Sequence, residues 1–128
     1  MKLLLDTHTF IWWVGEPEKL SSDALAHLDN EDNELMLSVV SVWEMQIKSQ
    51  LGKLKLNVPL GELVESQRQA NGVRVLAIEL EHVLALNSLP ALHKDPFDRL
   101  LIAQGQIEDA HIVSRDKMFA GYPVKVLW

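Results

Sequence analysis

Acidic side chains that follow short apolar segments are the residues in this chain best suited to chemistry. Asp6 comes directly after the apolar residues 3–5, and Asp116 follows the apolar segment 111–114 by one residue. If both segments are parallel strands, the two carboxylates lie at the carboxyl edge of one sheet, where such sheets bind ligands. Each Asp could instead be a simple helix cap, since Asp is a preferred capping residue.

Glu44 lies at the margin of an apolar helical stripe and not on the opposite side of the helix. At about 100° per residue, the stripe consists of Val40, Trp43, Ile47 and Leu51. A charged carboxylate placed near apolar neighbours is costly unless it is paired or bound to a metal. The alternative for Glu44 is an ion pair with Lys48, four residues later on the same helix face.

Two further aspartates open a predicted helix over Pro96–Glu108. Asp95 precedes Pro96, which makes it a good N-cap followed by proline at the first helical position. Asp98 falls in the first turn, where a negative charge suits the helix dipole. Capping and the helix dipole are sufficient to explain both aspartates. A functional role for either one therefore has to be inferred from the other acids.

Several carboxylates gathered at one place favour a hard divalent cation. Oxygen ligands suit Mg²⁺ or Mn²⁺ better than zinc, and crowded carboxylates raise each other's pKa unless a cation is present. Such an ion can activate water and stabilise the charge that develops on a phosphodiester. The chain contains no cysteine, which excludes disulfides, zinc–cysteine sites and thiol nucleophiles.

The elements that must position these acids alternate between strands and helices. Strands are predicted at 2–5, 35–38, 73–78, 111–114 and 124–127, with helices between them. This alternation of short apolar runs and helices is typical of an α/β protein with a parallel sheet covered on both faces. The 128 residues fit one domain, 1–128, and contain no repeat or linker.

Charge and hydropathy restrict the function classes. The net charge of −6 argues against a non-specific nucleic-acid binder, which is usually basic. It is compatible with an enzyme whose acids are concentrated around a metal. The apolar run near Met1 ends at Asp6, too early for a signal peptide, and no segment approaches the ~18 apolar residues of a membrane span. We therefore expect a cytoplasmic protein that does not bind a membrane.

Four segments resemble PIN-domain ribonucleases, and VapC-like toxins of type II toxin–antitoxin systems in particular. The residues DTH at 6–8 resemble the opening of PIN domains, and SVWE at 41–44 resembles their Ser-x-x-Glu helix segment. The residues DPFDRLLIA at 95–103 resemble a segment of bacterial VapC-like toxins, and SRD at 114–116 resembles the family's Ser/Thr-x-Asp. The four segments occur in the family's order and span nearly the whole chain.

The resemblance implies a PIN-like three-layer α/β/α fold with a mainly parallel sheet of four to five strands. It implies a Mg²⁺-dependent endoribonuclease, with Mn²⁺ as a possible substitute, that hydrolyses RNA as the toxin of a toxin–antitoxin pair. A homodimer and a small cognate antitoxin are the implied partners. The catalytic and metal-binding residues are then Asp6, Glu44, Asp98 and Asp116. Asp98 is preferred to Asp95 because the following segment matches the family best from Asp98.

Neighbouring polar residues have two interpretations each. Thr7, Ser41 and Ser114 are candidates for orienting carboxylates or water, or they are ordinary caps. Arg99 and Lys48 could contact RNA phosphate, although solvation at the surface is the simpler interpretation.

Aromatic residues near Asp6 are expected to be structural. Hard-cation sites seldom need imidazole, so we expect His8 to have a structural role. The run Phe10–Trp13 could form an apolar patch for a dimer, or it could pack in the core. Tryptophans can also stack on bases, but the apolar neighbours of Trp12 and Trp13 favour core or partner contacts.

Two other functions fit parts of the pattern. A catalytically inactive PIN-like interaction module is possible, but it would not need the complete set of acids. A phosphoacceptor receiver domain would need adjacent acids after the first strand and an Asp after the third. Asp6 has no acidic neighbour, and no Asp follows Val73–Ile78 directly.

Overall fold

A sheet of parallel strands forms the centre of the computed structural model, which describes residues 1–92 and 94–128. Within these residues the sheet has five strands in the order β3-β2-β1-β4-β5, and every neighbouring pair is parallel. The strands are β1 (Lys2–Leu5), β2 (Glu34–Ser38), β3 (Arg74–Leu76), β4 (His111–Val113) and β5 (Lys125–Leu127). The predicted α/β class and parallel sheet are confirmed.

Helices connect the strands. They are α1 (Thr7–Gly15), α2 (Ser22–Asp29), α3 (Val39–Gln50), α4 (Leu60–Asn71), α5 (Leu80–Ala85) and α6 (Pro96–Ile107). Short 3₁₀ turns occupy Pro17–Lys19, Leu86–Ser88 and Lys117–Gly121. No helix in the described residues is long and apolar enough to cross a bilayer.

Side chains on the strands alternate between two apolar cores, one on each face of the sheet. Leu4, Met36 and Ile112 point to the core that includes α5 and α6. The residues next to them in each strand point to the core that includes α1, α2 and α4. Since successive side chains in a strand face opposite ways, the sheet is covered on both sides, and the three-layer arrangement is confirmed.

Helix α3 begins two residues before the predicted start at Ser41. The Ser38 hydroxyl accepts a hydrogen bond from the Val40 backbone N–H at 3.0 Å and caps the helix as the strand β2 ends. The strand β3 is shorter than the predicted 73–78 segment. It is an edge strand whose pairing stops where Leu76 lies opposite Ser38, the last residue of β2.

The apolar stripe proposed for α3 is wrong. Trp43 is 54% exposed and Leu51 is 63% exposed, whereas the buried residues of the helix are Val40, Ser41 and Met45. The cause is the position of α3, which packs against α1 and α6 as well as against β2. The indole of Trp43 instead contacts the edge of Phe97 in α6, with ring centroids 5.0 Å apart.

The run Phe10–Trp13 packs mainly in the core. Phe10 is fully buried, and Ile11, Trp12 and Trp13 are half-buried against the same core cluster. Of the two interpretations of this run, core burial is the one that the structure favours.

The register of the sheet fixes where functional residues can meet. Leu5 lies opposite Leu37 on one side and Val113 on the other. The residues that follow, Asp6, Ser38 and Ser114, therefore lie side by side at the carboxyl edge.

Candidate functional site

A pocket of about 680 Å³ opens at the carboxyl edge of the sheet. All four predicted site residues line it, together with Asp95. Within residues 1–92 and 94–128, the lining consists of Asp6, Thr7, His8, Trp12, Glu44, Lys48, Asp95, Asp98, Arg115, Asp116 and Lys117. We call this the acidic pocket, because five of its lining side chains are carboxylates.

Asp6 is the most buried of the acids, with 8% of its surface exposed. Its Oδ1 accepts a hydrogen bond from the Thr9 backbone N–H at 2.8 Å and caps α1. Its Oδ2 accepts from the Ser114 hydroxyl at 2.5 Å. Two directional bonds therefore fix the orientation of this carboxylate at the end of β1.

Ser114 connects Asp6 to Asp116. Its Oγ donates to Asp6 and also accepts from the Asp116 backbone N–H at 3.0 Å. Asp116 is exposed, and its Oδ1 accepts from the Met118 backbone N–H at 2.9 Å at the start of a 3₁₀ turn. The hydroxyl thus holds together two segments that are distant in the chain.

Glu44 reaches the pocket from the second turn of α3, with 14% of its side chain exposed. Its Oε1 accepts from the Thr7 hydroxyl at 2.6 Å. Its Oε2 lies 2.8 Å from the Lys48 ammonium. The i,i+4 ion pair that was the alternative for Glu44 is present, and the carboxylate faces the pocket as well.

Asp95 and Asp98 approach from the start of α6. Oδ1 of Asp95 accepts from the backbone N–H groups of Phe97 at 2.9 Å and Asp98 at 3.3 Å, so Asp95 is the N-cap of the helix. Asp98 is half-buried in the first turn of α6 and lines the pocket. Both carboxylates lie near the positive end of the helix dipole, which offsets part of their mutual repulsion.

The match to a family model covers most of the chain. Residues 3–125 match the model described as PIN domain. The chain belongs to the PIN domain family.

This PIN domain is similar in sequence to a curated ribonuclease and in fold to solved structures of toxin–antitoxin proteins. It is 29% identical over 116 residues to Ribonuclease VapC22 from Mycobacterium tuberculosis, covering 90% of this chain and 87% of the relative. The crystal structure of VapBC2 from Rickettsia felis, bound to a DNA fragment from its promoter, superposes with a TM-score of 0.76 at 14% identity, covering 99% of this chain and 98% of that one. A toxin–antitoxin complex from Klebsiella pneumoniae gives a TM-score of 0.61 at 16% identity, covering 98% and 96%.

The donor set of the acidic pocket suits a hard cation. Carboxylate oxygens predominate among the described lining residues, and the one imidazole among them, His8, is exposed at the surface of the pocket. Mg²⁺ and Mn²⁺ prefer such oxygen ligands, while zinc sites use Cys or several His residues. The residues present in this PIN domain therefore fit the cation that its sequence suggested.

Hydroxyl groups orient two of the acids, as the sequence interpretation allowed. Thr7 donates to Glu44 and Ser114 donates to Asp6. The third candidate, Ser41, is buried in α3, and its Oγ finds no hydrogen-bond partner among the described residues.

Of the two cations considered from the sequence, Lys48 lines the pocket and Arg99 does not. Arg99 does not line it, because its guanidinium donates to the carbonyl of Pro90 at 2.8 Å and ties α6 to the preceding loop. Arg115 and Lys117 line it instead. The only sequence signal for these two cations was that they are the neighbours of Asp116. Residues beside an acid at a strand end need not face a pocket, so this signal is weak.

A second group of possible metal ligands lies outside the acidic pocket. Ligand atoms of Glu81, His82 and Glu108 fall within 4.8 Å of one another. However, Nδ1 of His82 accepts from the Glu79 backbone N–H at 2.9 Å, which leaves the ring proton on Nε2. That nitrogen faces Glu108 Oε2 at 3.4 Å. A metal would need the lone pair of Nε2, so this group is better explained as a buried network that joins α5 to α6.

Proposed function

We propose that this PIN domain is a metal-dependent endoribonuclease and the toxin of a toxin–antitoxin pair. The observation that carries the proposal is the convergence of Asp6, Glu44, Asp98 and Asp116 in one pocket. They come from four separate parts of the chain, and only the tertiary fold unites them. The similarity to Ribonuclease VapC22 supports RNA as the substrate.

The four carboxylates would hold Mg²⁺ or Mn²⁺. When bound, the cation supplies a water molecule of lowered pKa and a positive charge that faces the phosphodiester. Thr7 and Ser114 keep Glu44 and Asp6 in fixed orientations, so little reorganisation accompanies the reaction.

The rim of the pocket can bind the RNA backbone. Arg115 and Lys117 are exposed beside Asp116, where their charges can attract and orient a phosphate. They offset locally the net charge of −6, which otherwise repels RNA.

Cleavage of total RNA by the purified protein, followed by mapping of the new 5′ ends, tests the proposal. We expect cleavage in Mg²⁺ and none in EDTA. In Asp116→Asn the rate should fall roughly 100-fold or more, because the amide keeps the shape but loses the charge that binds the cation. The fold should remain, since Asn caps as well as Asp.

Asp23→Asn is the matched control, because Asp23 is an exposed acid in the first turn of α2, away from the pocket. It should cleave at the wild-type rate. Equal rates for Asp116→Asn and wild type, or cleavage that EDTA does not affect, would contradict the assignment. Absence of cleavage in wild type would favour the inactive interaction module.

The sheet order argues against a receiver domain. Flavodoxin-like receiver sheets follow the order 2-1-3-4-5, whereas this sheet follows β3-β2-β1-β4-β5.

We also propose a small antitoxin protein as the partner, and a homodimer as the assembly. The solved toxin–antitoxin complex from Klebsiella pneumoniae supports a partner of this kind. An inhibitor that enters the acidic pocket should present Arg or Lys, because these side chains pair with carboxylates.

Expression with and without the neighbouring small open reading frame, followed by size analysis, tests the partner and the assembly. We expect growth arrest from the toxin alone, relief by the partner, and a complex that contains two copies of this chain. A non-toxic, monomeric protein that binds no co-expressed partner would refute this part, even if the purified protein cleaves RNA.

A further inference from the structure

Two aromatic rings of α1 face the acidic pocket. His8 and Trp12 both line it, and their i,i+4 spacing places them on one side of the helix. His8 is exposed and Trp12 is half-buried. Their ring centroids are 5.7 Å apart and their planes differ by 40°. The rings therefore line the same pocket as the carboxylate of Asp6.

Trp12 is held in position by its neighbours. The ring of Trp128 meets it edge-on, with centroids 6.1 Å apart and planes at 64°. The ammonium of Lys19 lies 6.0 Å from the indole centroid. A ring already restrained in this way loses little conformational entropy when a ligand stacks on it.

Free positive charge lies in the same pocket. Lys48 is engaged by Glu44 at 2.8 Å. Arg115 and Lys117 are both exposed, and neither forms an ion pair or side-chain hydrogen bond within residues 1–92 and 94–128. They flank Asp116, so the pocket combines acids, unpaired cations and aromatic rings.

We propose that His8 and Trp12 form a base-stacking subsite for an unpaired nucleotide of RNA. Arg115 and Lys117 bind the phosphates that flank this nucleotide, and the acids act on the adjacent phosphodiester. The inference rests on the proposed ribonuclease function and adds that the substrate is RNA with an unpaired nucleotide at the site. Aromatic stacking accepts any base, because every base has a π-face. Stacking on the protein requires a base that is not part of a duplex, because in an A-form duplex the neighbouring bases already cover its faces.

Binding of a fluorescein-labelled octamer of adenosine, measured by anisotropy, tests the subsite. All proteins carry Asp98→Asn, so that the RNA is not cut during the measurement. We expect Trp12→Ala to weaken binding about tenfold, the effect of losing one stacked base. Trp12→Phe should stay within about threefold of the parent, because it retains an aromatic face.

Trp13→Ala is the matched control. Trp13 lies on the same helix, is half-buried in the same core cluster and bonds to Asp29, but it does not line the pocket. It should lower stability as Trp12→Ala does and leave RNA affinity unchanged. A hairpin RNA with a paired stem of the same length should bind more weakly and be insensitive to Trp12→Ala.

Kinetics in protein that retains Asp98 give a second measurement. Trp12→Ala should raise KM about tenfold and leave kcat within about threefold, because the subsite binds the substrate and takes no part in bond cleavage. If Trp12→Ala does not fold, the subsite is tested by comparing the RNA affinity of Trp12→Phe with that of Trp12→Leu. The affinity of His8→Ala is measured beside them. Leu keeps apolar bulk but no ring.

Three results would overturn the subsite. One is equal RNA affinity of Trp12→Ala and Trp13→Ala, and another is equal affinity of Trp12→Leu and Trp12→Phe. The third is a Trp12→Ala protein that loses a co-expressed antitoxin but binds RNA normally. The subsite and the nuclease can fail separately. Trp12-dependent binding without cleavage by wild type refutes the nuclease alone, and cleavage that is insensitive to Trp12 refutes the subsite alone.

Discussion

Three acids of the pocket have a structural task in addition to their proposed chemistry. Asp6, Asp95 and Asp116 each accept a hydrogen bond from a backbone N–H at the start of a helical segment. On the sequence, capping and metal binding were alternative interpretations. They do not exclude each other, because an ionised carboxylate has two oxygens and about four acceptor positions. A capping signal at a strand end therefore says little against a functional role.

Ser114→Ala should destabilise the protein and reduce its activity. Without the hydroxyl, the buried Oδ2 of Asp6 loses its donor, which costs about 1–3 kcal/mol in the free energy of unfolding. RNA cleavage should fall about 10-fold or more, since such orienting partners matter to metal sites. Urea unfolding and the cleavage assay measure the two effects.

Ser66→Ala provides the comparison for that substitution. The Ser66 hydroxyl is exposed and donates only to the Leu63 carbonyl within α4. Its loss should change stability by less than about 0.5 kcal/mol. If both variants unfold at the same urea concentration, the bond between Ser114 and Asp6 is not important for the fold.

At the scale of helices and strands, neighbouring residues predicted where a helix begins or ends, but the sequence did not predict which face of a helix is buried. Asp95 with Pro96 marked the start of α6, and Gly72, a glycine with a φ of 64°, ends α4. These signals depend on a few neighbouring residues. Which face of α3 is buried depends on contacts with α1 and α6, and no pattern within α3 contains that information. The error at Trp43 and Leu51 has this origin.

Gly105→Ala and Gly61→Ala should change stability in opposite directions. A Cβ at Gly105 in α6 would lie 3.0 Å from Val124 Cγ2 and 3.2 Å from Ile112 Cγ1. Overpacking of this kind costs about 1–3 kcal/mol, more than the gain of about 1 kcal/mol in helix propensity. A Cβ at Gly61 in α4 meets nothing within 4 Å, so only the gain remains. Thermal melts that shift the same way for both variants would contradict the close packing of α6 on β4.

At the scale of the whole molecule, tertiary contacts assemble the pocket from segments that the sequence shows only separately. The mainly parallel sheet and the four candidate acids could be inferred in outline, because the alternation of strands and helices and the family's segments are visible in the chain. The strand order could not. The roles of Arg115 and Lys117 could not, since nothing local distinguishes a cation at the pocket from one in solvent. Trp12 was assigned to core or partner contacts for the same reason. It packs on the core and also lines the pocket.

Mg²⁺ or Mn²⁺ should stabilise the folded chain. A ligand that binds only the native state adds about 2.7 kcal/mol at a concentration 100 times its Kd, which corresponds to about 10 °C in Tm for a domain of this size. The effect should be absent in Asp98→Ala, which lacks one of the proposed ligands. Potassium chloride at equal ionic strength separates specific binding from screening. A wild-type Tm that is the same in EDTA and in both cations would contradict the metal site.

The bond between Ser114 and Asp6 joins residues 108 positions apart, and this separation has a consequence for protein synthesis. A ribosome that adds about 5–20 residues per second takes between about 5 and 20 seconds to travel from one to the other. During that interval the nascent chain carries Asp6 and Glu44 but neither β4 nor Asp116, so it cannot complete the pocket. A nascent chain therefore cannot carry the complete pocket until β4 and Asp116 have been synthesised, and a chain truncated before β4 would lack the Ser114–Asp6 bond altogether.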